Sequence, residues 1–174
     1  MTRLRILEYP DARLRTRAEV VSSVDNEVRQ LADDLLETMY ADRGIGLAAT
    51  QVDIHRRVVV VDVSDTKDSP LVLVNPEVVA LGPPCMSEES CLSLPGLVDV
   101  VERAYRVTVR ALGRDGTPFQ LEAEGPLAVC LQHEVEHLEG RLFVDHLSWL
   151  KRLRVRGTLR AAARRRGSTG ATAP

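Results

Sequence analysis

The stretch Leu131-Gln132-His133-Glu134-Val135-Glu136-His137-Leu138 constrains the fold of this chain more than any other. It carries the pattern H-E-x-x-H. On an α-helix each residue turns through roughly 100°, so His137 stands about 40° round from His133 and one turn above it. Both imidazoles then reach one metal ion. Glu134 lies about 60° beyond His137 on the same side, where a carboxylate can take a proton from water. Leu127, Leu131, Val135, Leu138 and Leu142 recur at helical spacing and demand burial of the other side. Pro126, after Gly125, gives the helix a start. A helix with ligands on one side and an apolar stripe on the other belongs at the centre of a fold.

A catalytic site of this kind takes three protein ligands and leaves one position open. The third is not obvious. His146 lies nine residues beyond His137, at the expected helix end, and needs a sharp return. A protease pattern that begins in the same way requires a histidine where Phe143 stands, which excludes it. Cys130 shares the helix face but is about 10.5 Å along the axis from His137. Metal bonds of about 2.0–2.3 Å do not close that gap. Cys130 reads instead as a small apolar residue beside the site. Cys91, in the loop-like segment Glu88-Glu89-Ser90-Cys91-Leu92-Ser93-Leu94-Pro95-Gly96, is either a ligand brought in by the fold or a buried free thiol.

Three segments carry a resemblance. Gly44-Ile45-Gly46-Leu47-Ala48-Ala49-Thr50-Gln51, then Glu89-Ser90-Cys91-Leu92-Ser93, then Gln132 to Leu138 resemble the signature motifs of peptide deformylases, in order and at similar spacing. Ile6 to Asp11 and Arg13-Leu14-Arg15 resemble the opening of that family, and the likeness runs from about residue 4 to 148. It implies a metal held by Cys91, His133 and His137, typically Fe(II), with Zn(II), Ni(II) or Co(II) as substitutes. It implies Glu134 as general acid and base, with Gln51 and the backbone N–H of Leu92 as donors to the developing oxyanion. Ile45, Gly46, Glu89, Val129 and Cys130 are the implied substrate-binding residues, and N-formyl-methionyl peptides the implied substrate. Without the resemblance, Gly44 and Gly46 read equally as a simple turn.

Two positions depart from the family pattern. Ser90 stands where glycine is usual, and a serine is strained there if the backbone has positive φ. Glu136 stands where aspartate is usual. By helical angle it lies on the flank of His133 opposite Glu134, a structural carboxylate for which Arg103 is a candidate partner. These departures keep two alternatives open: a deformylase-like amidohydrolase acting on a small formylated or carbamoylated metabolite, and a non-catalytic ribosome-binding relative.

A chain of 174 residues fits one domain, read as a catalytic unit over 1–150 and a basic C-terminal helix or tail over 151–174. That last segment holds eight of the 23 Lys and Arg and none of the 25 Asp and Glu. The body is left with 15 basic against 25 acidic residues, a formal −10. A basic tail on an acidic body suggests an anionic partner; similar tails of some deformylases meet the ribosome, and the alternative is a solvated terminus. Gly167 to Pro174 reads as disorder. No motif marks sequence-specific nucleic-acid binding. Three cysteines without paired spacing, and no long apolar run, predict a cytoplasmic protein that meets no membrane.

Periodicity predicts a helix over 25–40 with Val28, Leu31, Leu35 and Met39 on one stripe, and a buried strand over Val58–Val63. Leu71–Val74 and Val78–Leu81 read as two strands broken at Asn75-Pro76, followed by a turn at Gly82-Pro83-Pro84. Residues 105–111 and 119–123 read as a hairpin around Gly113-Arg114-Asp115-Gly116. The expected class is α+β, with small antiparallel or mixed sheets around a central helix carrying H-E-x-x-H.

Overall fold

The valine run 58–61 sets the layering. A computed structural model describes residues 2–169, and in it all four valines are fully buried in strand β2 (Val58–Val61). Side chains alternate along a strand, so a run with no polar member needs cover on both faces. Val58 and Val60 pack with helix α1 (Asn26–Ala41). Val59 and Val61 pack with helix α2 (Gly125–Leu138). α1 begins where predicted, with the Asp25 carboxylate accepting from Val28 N–H.

β2 lies in a five-stranded sheet with β1 (Gly46–Ala48), β3 (Leu71–Leu81), β6 (Arg106–Leu112) and β7 (Pro118–Glu124), in the order β1-β2-β3-β6-β7. β4 (Pro84–Ser90) and β5 (Val98–Ala104) form a separate pair. Every strand pairing is antiparallel. This is the predicted α+β class with α2 at its centre. A third cluster, around Leu14, Leu94, Val101, Phe143 and Leu147, joins the small sheet to α2's C-terminal exit.

Four details differ from the sequence reading. Leu71–Leu81 is one strand, because Asn75 adopts φ 53° and the register shifts between Val74 and Glu77, so the break is a bulge. The segment before Cys91 is strand β4 rather than loop. α2 ends at Leu138, so Leu142 is buried from beyond the helix. Helix α3 spans Trp149–Thr169, so the helix continues through Gly167–Thr169, where disorder was predicted; residues 170–174 lie outside the described residues. α3 is also docked. Val155 and Leu159 pack into the third cluster, and Arg152 donates to the carbonyls of Asp145 and Leu147 at 3.1 Å. Among the described residues no helix is long and apolar enough to cross a membrane.

Candidate active site

α2 presents His133 and His137 one turn apart, and their Nε2 atoms lie 3.1 Å from each other. Cys91 follows directly on β4, which carries its Sγ to 3.2 Å from His137 Nε2. The three ligand atoms all lie within 4.8 Å of one another, and the residues are almost wholly buried. Two imidazole nitrogens and a sulfur converging without an apolar spacer suit a shared cation. The structure thus brings together the three residues named from the resemblance. His146 and Cys130 stay outside the cluster.

Of the two histidines, His133 is held from behind, while among the described residues the buried His137 Nδ1 meets no hydrogen-bond partner. His133 Nδ1 is 2.8 Å from Glu89 Oε2, which fixes the ring so that Nε2 faces the cluster. Glu89 in turn accepts from Arg103 Nε at 2.6 Å and from Arg103 Nη2 at 3.0 Å, a buried fork-to-fork pair. Burial alone would raise the Glu89 carboxyl, but the His133 and Arg103 hydrogen bonds prevail and hold it at about 2. Burial pushes His137 well below the usual histidine range, aided by neighbouring His133, which keeps it neutral. Burial works the same way on His133, but Cys91 and Glu89 outweigh it and raise that ring. The two facing nitrogens cannot both carry protons, and the opposite shifts express this.

Glu134 is 4 % exposed, and among the described residues its Oε2 has no hydrogen-bond partner. Burial pushes its carboxyl up to about 7. Gly46 leaves the room it occupies: a Cβ there would run into Glu134 Oε1 and stand 2.8 Å from Cys130 Sγ. Burial also raises the Cys130 thiol, so Cys130 remains a neutral wall residue.

Gln51, on the 3-10 turn Ala49–Val52, accepts from Ala48 N–H at 2.8 Å through Oε1. That contact orients Nε2, which donates to Ser93 Oγ at 3.1 Å and points at Cys91 Sγ at 3.6 Å. Among the described residues nothing accepts from the Leu92 N–H. A cleft of about 1300 Å³ opens over these groups, bordered by Ile45, Gly46, Glu89, Val129 and Cys130 among others. Glu89, named as a substrate-binding residue, borders the cleft but has both carboxylate oxygens turned inward to Arg103 and His133. Ser90 is not among the positive-φ residues, so the feared strain is absent.

Sequence reasoning did not find Ser93, nor the link from Arg103 to Glu89. The Ser93 signal was present in the second motif; Glu89 and Arg103 stand on different strands, and their pairing left none. Glu136 meets Arg103 as anticipated, Oε2 to Nη1 at 2.9 Å.

Comparison with known proteins agrees with this geometry. The family model described as polypeptide deformylase matches residues 3–153. A Chromohalobacter salexigens protein named peptide deformylase is 60% identical over 156 residues, 89% of this chain and 92% of the relative. One from Azotobacter vinelandii is 54% identical over 168 residues, 96% of this chain and all of the relative. Among solved structures, a peptide deformylase from Legionella pneumophila superposes with a TM-score of 0.89 at 46% identity, covering 96% of this chain and 98% of that one. A peptide deformylase from Ehrlichia chaffeensis in complex with actinonin gives 0.89 at 37% identity, with 93% and 98% covered.

Proposed function

This chain belongs to the peptide deformylase family, and from that membership we propose that it removes the N-formyl group from the formyl-methionine of newly made polypeptides, releasing formate. The observation that carries the reading is the convergence of Cys91, His133 and His137 beside the unpartnered Glu134 Oε2. The family is metal-dependent, and one thiolate with two imidazoles fits a divalent transition ion. We assign Fe(II) natively, with Zn(II), Ni(II) or Co(II) as substitutes. When bound, such an ion supplies Lewis acidity toward water and the formyl oxygen.

The chain's own residues do the rest. Glu134 takes the proton from the water whose oxygen bonds to the formyl carbon, then gives it to the amine nitrogen as the carbon–nitrogen bond breaks. A carboxyl at about 7 suits a group that must accept and release a proton near neutrality. Gln51 Nε2–H and Leu92 N–H donate to the oxygen that gains charge. Preorganised donors of this kind are each worth about 2.7–4 kcal/mol. Glu89 holds His133 in the required tautomer throughout.

Ile45, Gly46, Val129 and Cys130 are assigned to the methionine side chain. β1 and β4 are both edge strands whose residues border the cleft. An extended backbone fits between two such edges. The cleft exceeds the roughly 300–1,000 Å³ typical of small-ligand pockets, which favours a polypeptide over a small formylated metabolite. On this reading 1–150 is the catalytic unit, and the basic segment 151–174 meets an anionic surface such as the ribosome's. Three free cysteines support a cytoplasmic setting.

The test is formate release from N-formyl-Met-Ala by Fe(II)-loaded, anaerobically prepared protein, with Glu134→Ala as the blank. Rapid release that the variant lacks is expected. No release from folded, metal-replete protein overturns the proposal.

A further inference from the structure

Beyond Glu89, the support of His133 continues outward through a chain of charges. The Glu89 carboxylate occupies Nε and Nη2 of Arg103, which leaves Nη1 for a second partner. Nη1 meets Glu136 Oε2 at 2.9 Å. The same Glu136 carboxylate lies 2.8 Å from His146 Nε2 through both oxygens, and Arg141 stands farther off at 3.6 Å. With a carboxylate in front of it, His146 Nε2 is the donor; its 3.2 Å approach to Arg103 Nη1 is that of two donors sharing one acceptor. Arg103 is 4 % exposed, a cation enclosed between two carboxylates. The chain of contacts crosses four elements: α2, β4, β5 and the 3-10 turn Phe143–His146.

We infer that His146 and Glu136 are positioning residues of the metal centre, acting through Arg103 and Glu89 on the His133 ring. The Glu136 carboxylate spans Arg103 and His146 at once. His146 pins its outer end to the turn that leaves α2. Releasing that end frees Arg103 to follow Glu136, Glu89 to follow Arg103, and His133 to tilt. The inference rests on the metal reading of Cys91, His133 and His137.

The experiment uses the full chain loaded with Co(II), following its visible spectrum and its rate of cobalt loss to a chelator, with no substrate present. Partners directly behind a ligand change metal affinity by about 10–100-fold, so Glu136 and His146, two and three steps further out, are expected to change the loss rate by about three- to tenfold. His146→Ala is expected to show that acceleration with a shifted cobalt spectrum. His146→Gln, which keeps an N–H donor, is expected to restore most of it. Glu136→Asp is expected to behave like His146→Ala, and the double variant no worse than either. If His146→Ala fails to fold, His146→Gln and Glu136→Asp carry the comparison. Wild-type loss rate and spectrum in a folded His146→Ala or Glu136→Asp overturn the inference, as does lowered thermal stability with an unaltered centre. Wild-type protein that takes up no Co(II) overturns the metal reading and this inference together; uptake with insensitive variants overturns this inference alone.

Discussion

A methyl group at position 46 would collide with the Glu134 carboxylate and stand 2.8 Å from Cys130 Sγ. The glycine is therefore a requirement of the site as much as of the strand. Gly46→Ala is expected to lower kcat/KM by about 10²-fold, because misplacing a reacting group by about 1 Å costs that much. The fold and the bound metal are expected to survive. Circular dichroism, metal content and formate release on one preparation check this; a variant with near wild-type turnover contradicts the packing described. Glu89 supplies a second prediction at this scale. Its carboxyl lies at about 2 in the folded chain against an ordinary 4.5. A depressed carboxyl contributes stability that is present above 4.5 and lost as pH falls through about 2. The contribution is of order 3 kcal/mol. Urea unfolding of metal-free protein is expected to show the midpoint falling steeply between pH 4.5 and 2.5. A flat midpoint across that window contradicts the Glu89–Arg103–His133 assignment.

The elements explain which parts of the site were legible. α1, α2, β2 and the β6–β7 hairpin announce themselves because their buried faces are apolar at the right period. β4 and β5 do not, because their pattern is inverted. Their buried members include Glu89 and Arg103, while Met86, Val98 and Val100 are exposed. A strand whose inward side chains are an ion pair supporting a ligand reads as loop by hydrophobic pattern alone. The His133–Glu134–His137 arrangement follows from helical geometry, whereas Cys91 and Gln51 needed the family resemblance. The junction after α2 is testable in its own right. Gly140 has φ +69°, and a Cβ there would meet the backbone carbonyl carbon of Arg15 at 2.8 Å, so both conformation and space oppose a side chain. Gly140→Ala is expected to destabilise the chain by about 2–4 kcal/mol, read as a lower denaturation midpoint. A change under about 0.5 kcal/mol contradicts the close contact between the N-terminal turn and the end of α2.

Across the whole molecule, the large sheet holds α2 against its face, and the small sheet delivers Cys91 and Glu89 to the opposite side of the histidines. The site is a meeting of the two sheets across one helix, so no single segment contains it. The central claim is that one metal at Cys91, His133 and His137 supports formyl hydrolysis by Glu134. The most direct measurement is a titration of Fe(II) into metal-free, anaerobic protein while formate release from N-formyl-Met-Ala is followed, with Glu134→Ala alongside. The account predicts activity that rises linearly to one metal per chain and then stops, and a variant that binds the same metal without turnover. Full activity in metal-free protein, or an active Glu134→Ala, would contradict it.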